Sequence, residues 1–190
     1  MISSDAATTH GSLNSRPLET IKGLTPPAMG QTSSAVENET LTTDATIFPN
    51  VPPPITHSAG YFMTEWLDAL NIVLNFIKPS VAWAWDTCQV LSGSGSVAQG
   101  CSQATGWTQI AFNWQNGWGS SSAYSEASGN YYDAVFCLLL GQNKGTGVQY
   151  LYSNLYGYPD GSLSGEWSSL TYGGCTGIIH SNNYVVRTLH

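Results

Sequence analysis

The sequence predicts an α+β fold: a single disulfide-stabilised domain with N-terminal helices packed on a C-terminal antiparallel sheet, preceded by a disordered segment. Three observations carry that expectation. Every Trp, Tyr and Cys lies after Ser58, so only residues 59–190 hold the material of a core. Before Gly141, apolar residues recur at three- and four-residue steps, the spacing of a helix face. After Gly145, residues alternate as they do on a strand. Helices first and antiparallel strands last is the order of an α+β domain.

Residues 1–58 read as a disordered Ser/Thr/Pro-rich leader or pro-segment. Phe48 is their only aromatic residue, and seven of the nine prolines fall there. So little apolar surface does not offset the entropy of ordering the chain. Pro26-Pro27 and Pro52-Pro53-Pro54 favour extended polyproline stretches. Ile47, Phe48 and Val51 offer one short segment able to dock onto the domain. Residues 1–30 contain no apolar h-region, so no signal peptide is read there.

Tyr61 to Lys78 reads as the first helix. Thr64, Asp68, Asn71, Asn75 and Lys78 form a narrow polar stripe, and Phe62, Trp66, Leu70, Val73 and Phe76 lie on the wide apolar face. Lys78 favours the C-terminal dipole and Pro79 stops the run. The helix is too short and polar to span a bilayer, but its face suits a groove of the domain, a partner or a membrane surface. Val81 to Trp85 reads as a short strand, and Ser92 to Gly100 as a Gly/Ser loop. From Gln103 to Trp118, Trp107, Ile110, Ala111, Trp114 and Trp118 fit helical spacing, whereas Ile110, Phe112 and Trp114 fit strand alternation. The helix is favoured, ending at Gly117-Trp118-Gly119. A further helix is expected from Tyr131 to Leu140, capped by Asn130, with Asp133 in its first turn and Gly141 as its stop.

The strands come last. Val148, Tyr150, Tyr152 and Tyr156 are expected on one face, with Gln149, Leu151, Ser153 and Leu155 on the other. Gly157 to Gly161 has the composition of a turn. Residues 163–172 form the next strand, and Ile178 to His180 pairs with Tyr184 to Val186 as a hairpin across Ser181-Asn182-Asn183.

Charge excludes several functions. Five Lys and Arg stand against twelve Asp and Glu, a net charge of -7. Nucleic-acid affinity needs clustered basic residues, and none are clustered here, so no nucleic acid is expected as a partner. Electrostatic attachment to anionic lipid is disfavoured for the same reason. At 9% charged residues, solubility rests on neutral polar side chains, as is common outside the cell. Four cysteines without C-x-x-C spacing suggest two disulfides, with Cys88–Cys101 and Cys137–Cys175 as the preferred pairing. Asn38-Glu39-Thr40 is a glycosylation acceptor triplet, in keeping with an extracellular location.

No catalytic motif is present. Gly161-Ser162-Leu163-Ser164-Gly165 has Leu where a nucleophile elbow needs Ser. The chain lacks a phosphate-binding loop, a dinucleotide fingerprint and an H-E-x-x-H helix, so no cofactor or metal is expected. Asp133 beside Tyr131 and Tyr132, and Glu166 beside Trp167, are the carboxylates through which a small glycoside hydrolase would act. The fuller signal is aromatic. Tyr150, Tyr152, Tyr156, Tyr158 and Trp167 are expected to form a platform on which sugar rings or a protein partner would stack. The expected function is therefore a secreted, non-enzymatic surface-interaction protein of effector or toxin type, binding carbohydrate or protein. The alternatives are a membrane-active toxin using helix 61–78, a small glycoside hydrolase, and a self-assembling structural subunit.

Overall fold

A computed structural model describes residues 7–15 and 52–189. Among them no α-helix occurs. The strands are β1 (Ala7–Ser15), β2 (Thr56–Leu67), β3 (Val73–Trp85), β4 (Val90–Cys101), β5 (Thr108–Gly119), β6 (Ser122–Asp133), β7 (Thr146–Gly157), β8 (Leu163–Gly173) and β9 (His180–Leu189). They build two antiparallel sheets, one in the order β1-β8-β7-β6-β5 and the other β4-β3-β2-β9. The α+β expectation is thus overturned in favour of a two-sheet sandwich.

Helix 61–78 is in fact β2, a turn and β3. Phe62, Trp66 and Leu70 are spaced by four residues, an even step that returns to the same face of a strand as well as of a helix. Phe62 and Trp66 point into the core, Leu70 sits exposed in the turn, Val73 opens β3 exposed, and Phe76 is half-buried. The turn is made by Asp68, whose carboxylate accepts hydrogen bonds from the N–H groups of Leu70 (2.8 Å) and Ile72 (2.9 Å). Asn71 supplies the left-handed residue at φ 62°. The expected polar stripe includes two buried bonding groups. Thr64 shares a hydrogen bond with Ser153 (3.0 Å), and Asn75 accepts one from the Tyr150 hydroxyl (2.7 Å). Pro79 lies within β3, where the β2–β3 ladder skips between the pairs Tyr61–Ser80 and Thr64–Ile77.

The other helices fail for related reasons. Gln103–Thr105 is a single 3-10 turn and the rest of that segment is β5. Tyr131 to Asp133 closes β6, and only Leu138–Leu140 turns helically, ending on Gly141 in the left-handed region. The Gly/Ser run 92–100 is β4. A side chain at Gly93 or Gly95 would collide with Ala123 or with Asn116 and Ser125 of the facing sheet, so glycine there allows the close approach of β4 to β5 and β6. Ser181 to Asn183 lie inside β9 opposite Trp66 to Thr64, not in a hairpin turn. The turn after Gly157 stands where composition placed it, closed by hydrogen bonds from Gly161 N–H to the Tyr158 carbonyl and from Tyr158 N–H to that of Ser162.

The fold also begins earlier than the composition implied. Ala7–Ser15, inside the expected leader, pairs along β8, and β2 starts at Thr56. Ile47, Phe48 and Val51 lie outside the described residues.

The inner faces of the sheets share two apolar clusters. One gathers Trp66, Leu74, Ile77, Trp107, Tyr131, Val148 and Tyr150, the other Phe62, Val81, Trp83, Leu155 and Leu163. Each such side chain contributes about 1.5–3 kcal/mol on burial. Cys137 and Cys175 are joined in a disulfide, as expected, linking the β6–β7 and β8–β9 connections. Cys88 and Cys101 are free. They flank β4 at opposite ends, roughly 40 Å apart at strand rise, whereas a disulfide needs Cα atoms about 6 Å apart. Because successive strands are antiparallel, their connections alternate between two poles. Segments 68–72, 102–107, 134–145 and 174–179 share one pole, and 86–89, 120–121 and 158–162 share the other.

Candidate functional site: the outer face of the five-stranded sheet

The expected tyrosine row is divided by one residue. On β7, Tyr150 pairs with Ser169 of β8 and Tyr152 with Ser168, which leaves Leu151 as an extra residue in a β-bulge. Val148 and Tyr150 face the core, Leu151 and Tyr152 both face outward, and Ser153 and Leu155 face the core again. Tyr150 is 1% exposed, while Tyr152 is 39% exposed. Of the five platform residues, only Tyr152 and Tyr156 thus stand on the outer face of the strands. Trp167 turns inward onto Phe62, with ring centroids 5.8 Å apart. Tyr158 lies in the β7–β8 turn, where its carbonyl accepts a hydrogen bond from the Trp83 indole (2.9 Å).

Strand register brings a set of polar side chains beside Tyr152 and Tyr156. One row across the sheet reads Gln115, Glu126, Asn154, Glu166 and Ser12, on β5, β6, β7, β8 and β1 in turn. Gln115 donates to one Glu126 oxygen and the Tyr156 hydroxyl donates to the other at 2.8 Å. Asn154 in turn donates to the Tyr156 oxygen at 3.2 Å. Burial, the bond to Glu126 and the nearby Glu166 charge hold the Tyr156 hydroxyl well above the usual phenol range. Burial and Glu166 act in the same direction on Tyr158.

A groove of about 280 Å³ opens over this network, lined by Asn113, Gln115, Glu126, Ser128, Tyr152 and Asn154, with Leu151 at the bulge. A second depression of about 240 Å³ shares Asn113, Ser128 and Leu151 with it and continues toward Asn130 and Gln149. The bulge therefore sits at the junction of one channel crossing three strands. Its walls offer amide donors and acceptors, a serine hydroxyl, a fixed carboxylate and the exposed aromatic Tyr152, with the exposed Trp114 also in the lining.

The sheet keeps the two expected carboxylates apart. Glu166 is exposed on the outer face, but Asp133 is fully buried on the inner one. One Asp133 oxygen accepts from the N–H groups of Val135 (2.7 Å) and Phe136 (3.0 Å), which makes it the anchor of the β6–β7 connection. Gly106, at φ 96°, packs against both oxygens, and any side chain there would meet them. Among the described residues no cluster of His, Cys, Asp and Glu is arranged to hold a metal ion.

Sequence reasoning missed Asn113, Gln115, Glu126, Ser128 and Asn154. The first four inward positions of β6 are Ala123, Ser125, Ala127 and Gly129, too small to mark an apolar alternation before Tyr131. The one available signal was strand spacing at Ile110, Phe112 and Trp114, which would have turned Asn113 and Gln115 to a common face. No protein-family model, curated protein or solved structure matches this chain.

Proposed function

We propose that this chain is a secreted, non-enzymatic binding module whose five-stranded sheet recognises a neutral carbohydrate in the groove at the β7 bulge. One observation supports the reading above others: the bulge turns Tyr152 outward beside Asn113, Gln115, Ser128 and Asn154 in a single channel. A pyranose offers CH groups to an aromatic face and hydroxyls to amides, and this channel carries both. Its volume favours a small ligand such as a sugar over a protein. A stable protein interface covers about 800 Å² per partner, whereas a cleft of a few hundred Å³ is the scale of a small ligand. The Cys137–Cys175 disulfide and the low charge content support an extracellular setting.

Hydrolysis is the weaker use of the same face. Glu126 and Glu166 flank Asn154 in one row, about 9.5 Å apart by strand spacing, near the upper end of the inverting range. Both Glu126 oxygens already accept hydrogen bonds, however, which leaves neither free to pass a proton to a leaving group.

Binding to a panel of neutral oligosaccharides, followed by titration calorimetry on the best, tests the proposal. Tyr152→Ala and Asn154→Ala are expected to weaken affinity about tenfold each, the worth of about 1.4 kcal/mol. If both variants bind as the parent does, the groove is not the site.

A further inference from the structure

The two depressions on the outer face of the five-stranded sheet lie end to end along the strands. The first runs from the row Gln115, Glu126 and Asn154 to the row Asn113 and Ser128, where Leu151 sits at the bulge. The second starts from that shared row and ends at Ala111, Asn130 and Gln149. Each covers one two-residue step of the strands, about 7 Å, and the pair covers about 14 Å. The residues at the junction line both depressions, so the floor is continuous. A single pyranose ring would occupy one step and leave the other open.

Each end is set by a tyrosine. At the first, the Tyr156 hydroxyl donates to Glu126 at 2.8 Å and fixes that acceptor. At the second, the Tyr172 hydroxyl donates to the Asn130 oxygen at 2.8 Å, which turns the amide N–H groups away from Tyr172. Tyr172 in turn stacks on Tyr132 across Gly147, with ring centroids 6.3 Å apart and planes 12° apart. Position 147 has to be glycine, because a Cβ there would meet the Tyr172 ring. The polar groups at both ends are therefore held before a ligand arrives, which lowers the cost of binding. Between them, Leu151 and the exposed Tyr152 ring supply apolar surface.

We infer that the channel takes a linear neutral oligosaccharide with adjacent sugar units in the two depressions, the first against Tyr152 and Asn154, the next against Asn130 and Gln149. This rests on the carbohydrate reading of the same face and adds the length and path of the ligand: more than one sugar unit, lying along the strands past the bulge. An extended peptide finds main-chain partners at a sheet edge, whereas β6 and β7 under this channel are paired on both sides. Side chains make the contacts here, as a chain of sugar hydroxyls requires.

Titration calorimetry tests the inference, with glucose, galactose, mannose and N-acetylglucosamine each offered as the monosaccharide and as its linear disaccharide. For the sugar that binds, affinity is expected to rise about tenfold from monosaccharide to disaccharide, as one or two added hydrogen bonds imply. Asn130→Ala and Gln149→Ala are each expected to weaken the disaccharide about tenfold more than the monosaccharide. Both side chains are half-buried on the outer face and outside the core clusters, and an unchanged melting temperature verifies the fold. Tyr152→Ala is expected to weaken both ligands alike, since it serves the depression that a monosaccharide fills. Equal affinity for monosaccharide and disaccharide would overturn the two-unit path and leave the carbohydrate reading standing. So would loss of both ligands in equal measure from Asn130→Ala and Gln149→Ala. Binding by none of these sugars would sink the carbohydrate reading, and this inference with it.

Discussion

The four cysteines divide by environment, and each environment predicts a reactivity. Cys88 is exposed in the β3–β4 turn, where Asp86 accepts from its N–H at 3.1 Å. Cys101 is half-buried and its Sγ donates to the Trp107 carbonyl at 3.4 Å. Burial pushes the Cys101 thiol up, with a smaller opposing effect from the Gln109 backbone. Since the thiolate is the reactive form, native protein is expected to titrate two thiols, Cys88 quickly and Cys101 slowly. Mass mapping after alkylation checks the order; labelling of Cys137 or Cys175 without reductant would contradict the structure. Reduction of Cys137–Cys175, whose partners are 38 residues apart, is expected to lower stability by about 4 kcal/mol through the unfolded chain's entropy. Asp133 shows the same dependence on surroundings. Beside two tyrosines it resembles a catalytic acid, but under Gly106 it is a buried anchor for a turn.

At the scale of an element, the bulge in β7 decides what the sheet can bind. It is a single extra residue relative to both neighbours: Ala127 and Gly129 of β6 enclose one residue where Ser153 and Tyr150 of β7 enclose two. Deleting Leu151 therefore leaves Tyr150 and Ser153 facing the core and Tyr152 facing out. The shortened chain is expected to fold with little change in melting temperature and to lose carbohydrate affinity, because the channel flattens where the bulge had bent the strand. Deleting Asn154 has the opposite consequence. Every later residue of β7 changes face, Leu155 leaves its core cluster, and stability is expected to fall by about 3–5 kcal/mol. Thermal melts of the two deletions side by side check the assignment. Equal damage from both would mean that Leu151 is not the inserted residue. The same faces explain why the sequence misled. Four-residue spacing in β2 satisfies two periodicities at once, and the inward residues of β6 from Ala123 to Gly129 are too small to declare themselves.

For the molecule as a whole, tyrosine is the sealing residue between the sheets. Tyr131 bonds to Gln99 at 2.9 Å and Tyr150 to Asn75, each reaching from the five-stranded sheet to the other. Burial raises both hydroxyls above the ordinary phenol value, as it raises Tyr156 on the outer face. A folded value above the unfolded one, near about 10, means that their stabilisation is complete below that pH and is lost as pH climbs toward the folded values. Alkaline unfolding is therefore expected to begin above about pH 10, with the phenolate absorbance of these tyrosines appearing together with loss of β-sheet circular dichroism. Their ionisation in a still-folded protein would contradict the buried placement. Composition alone determined where most of the core material lies and the turn after Gly157, because these follow from residue type in any fold. The spacing of the cysteines sufficed for the Cys137–Cys175 bond, whereas the extended β4 holds Cys88 and Cys101 apart. Only the tertiary structure decided that the chain is a sandwich, that β1 comes from the expected leader, and that Tyr150 and Tyr152 face opposite ways. The physical reason is that strand faces are assigned by pairing between distant segments, and one bulged residue reverses every assignment that local alternation makes.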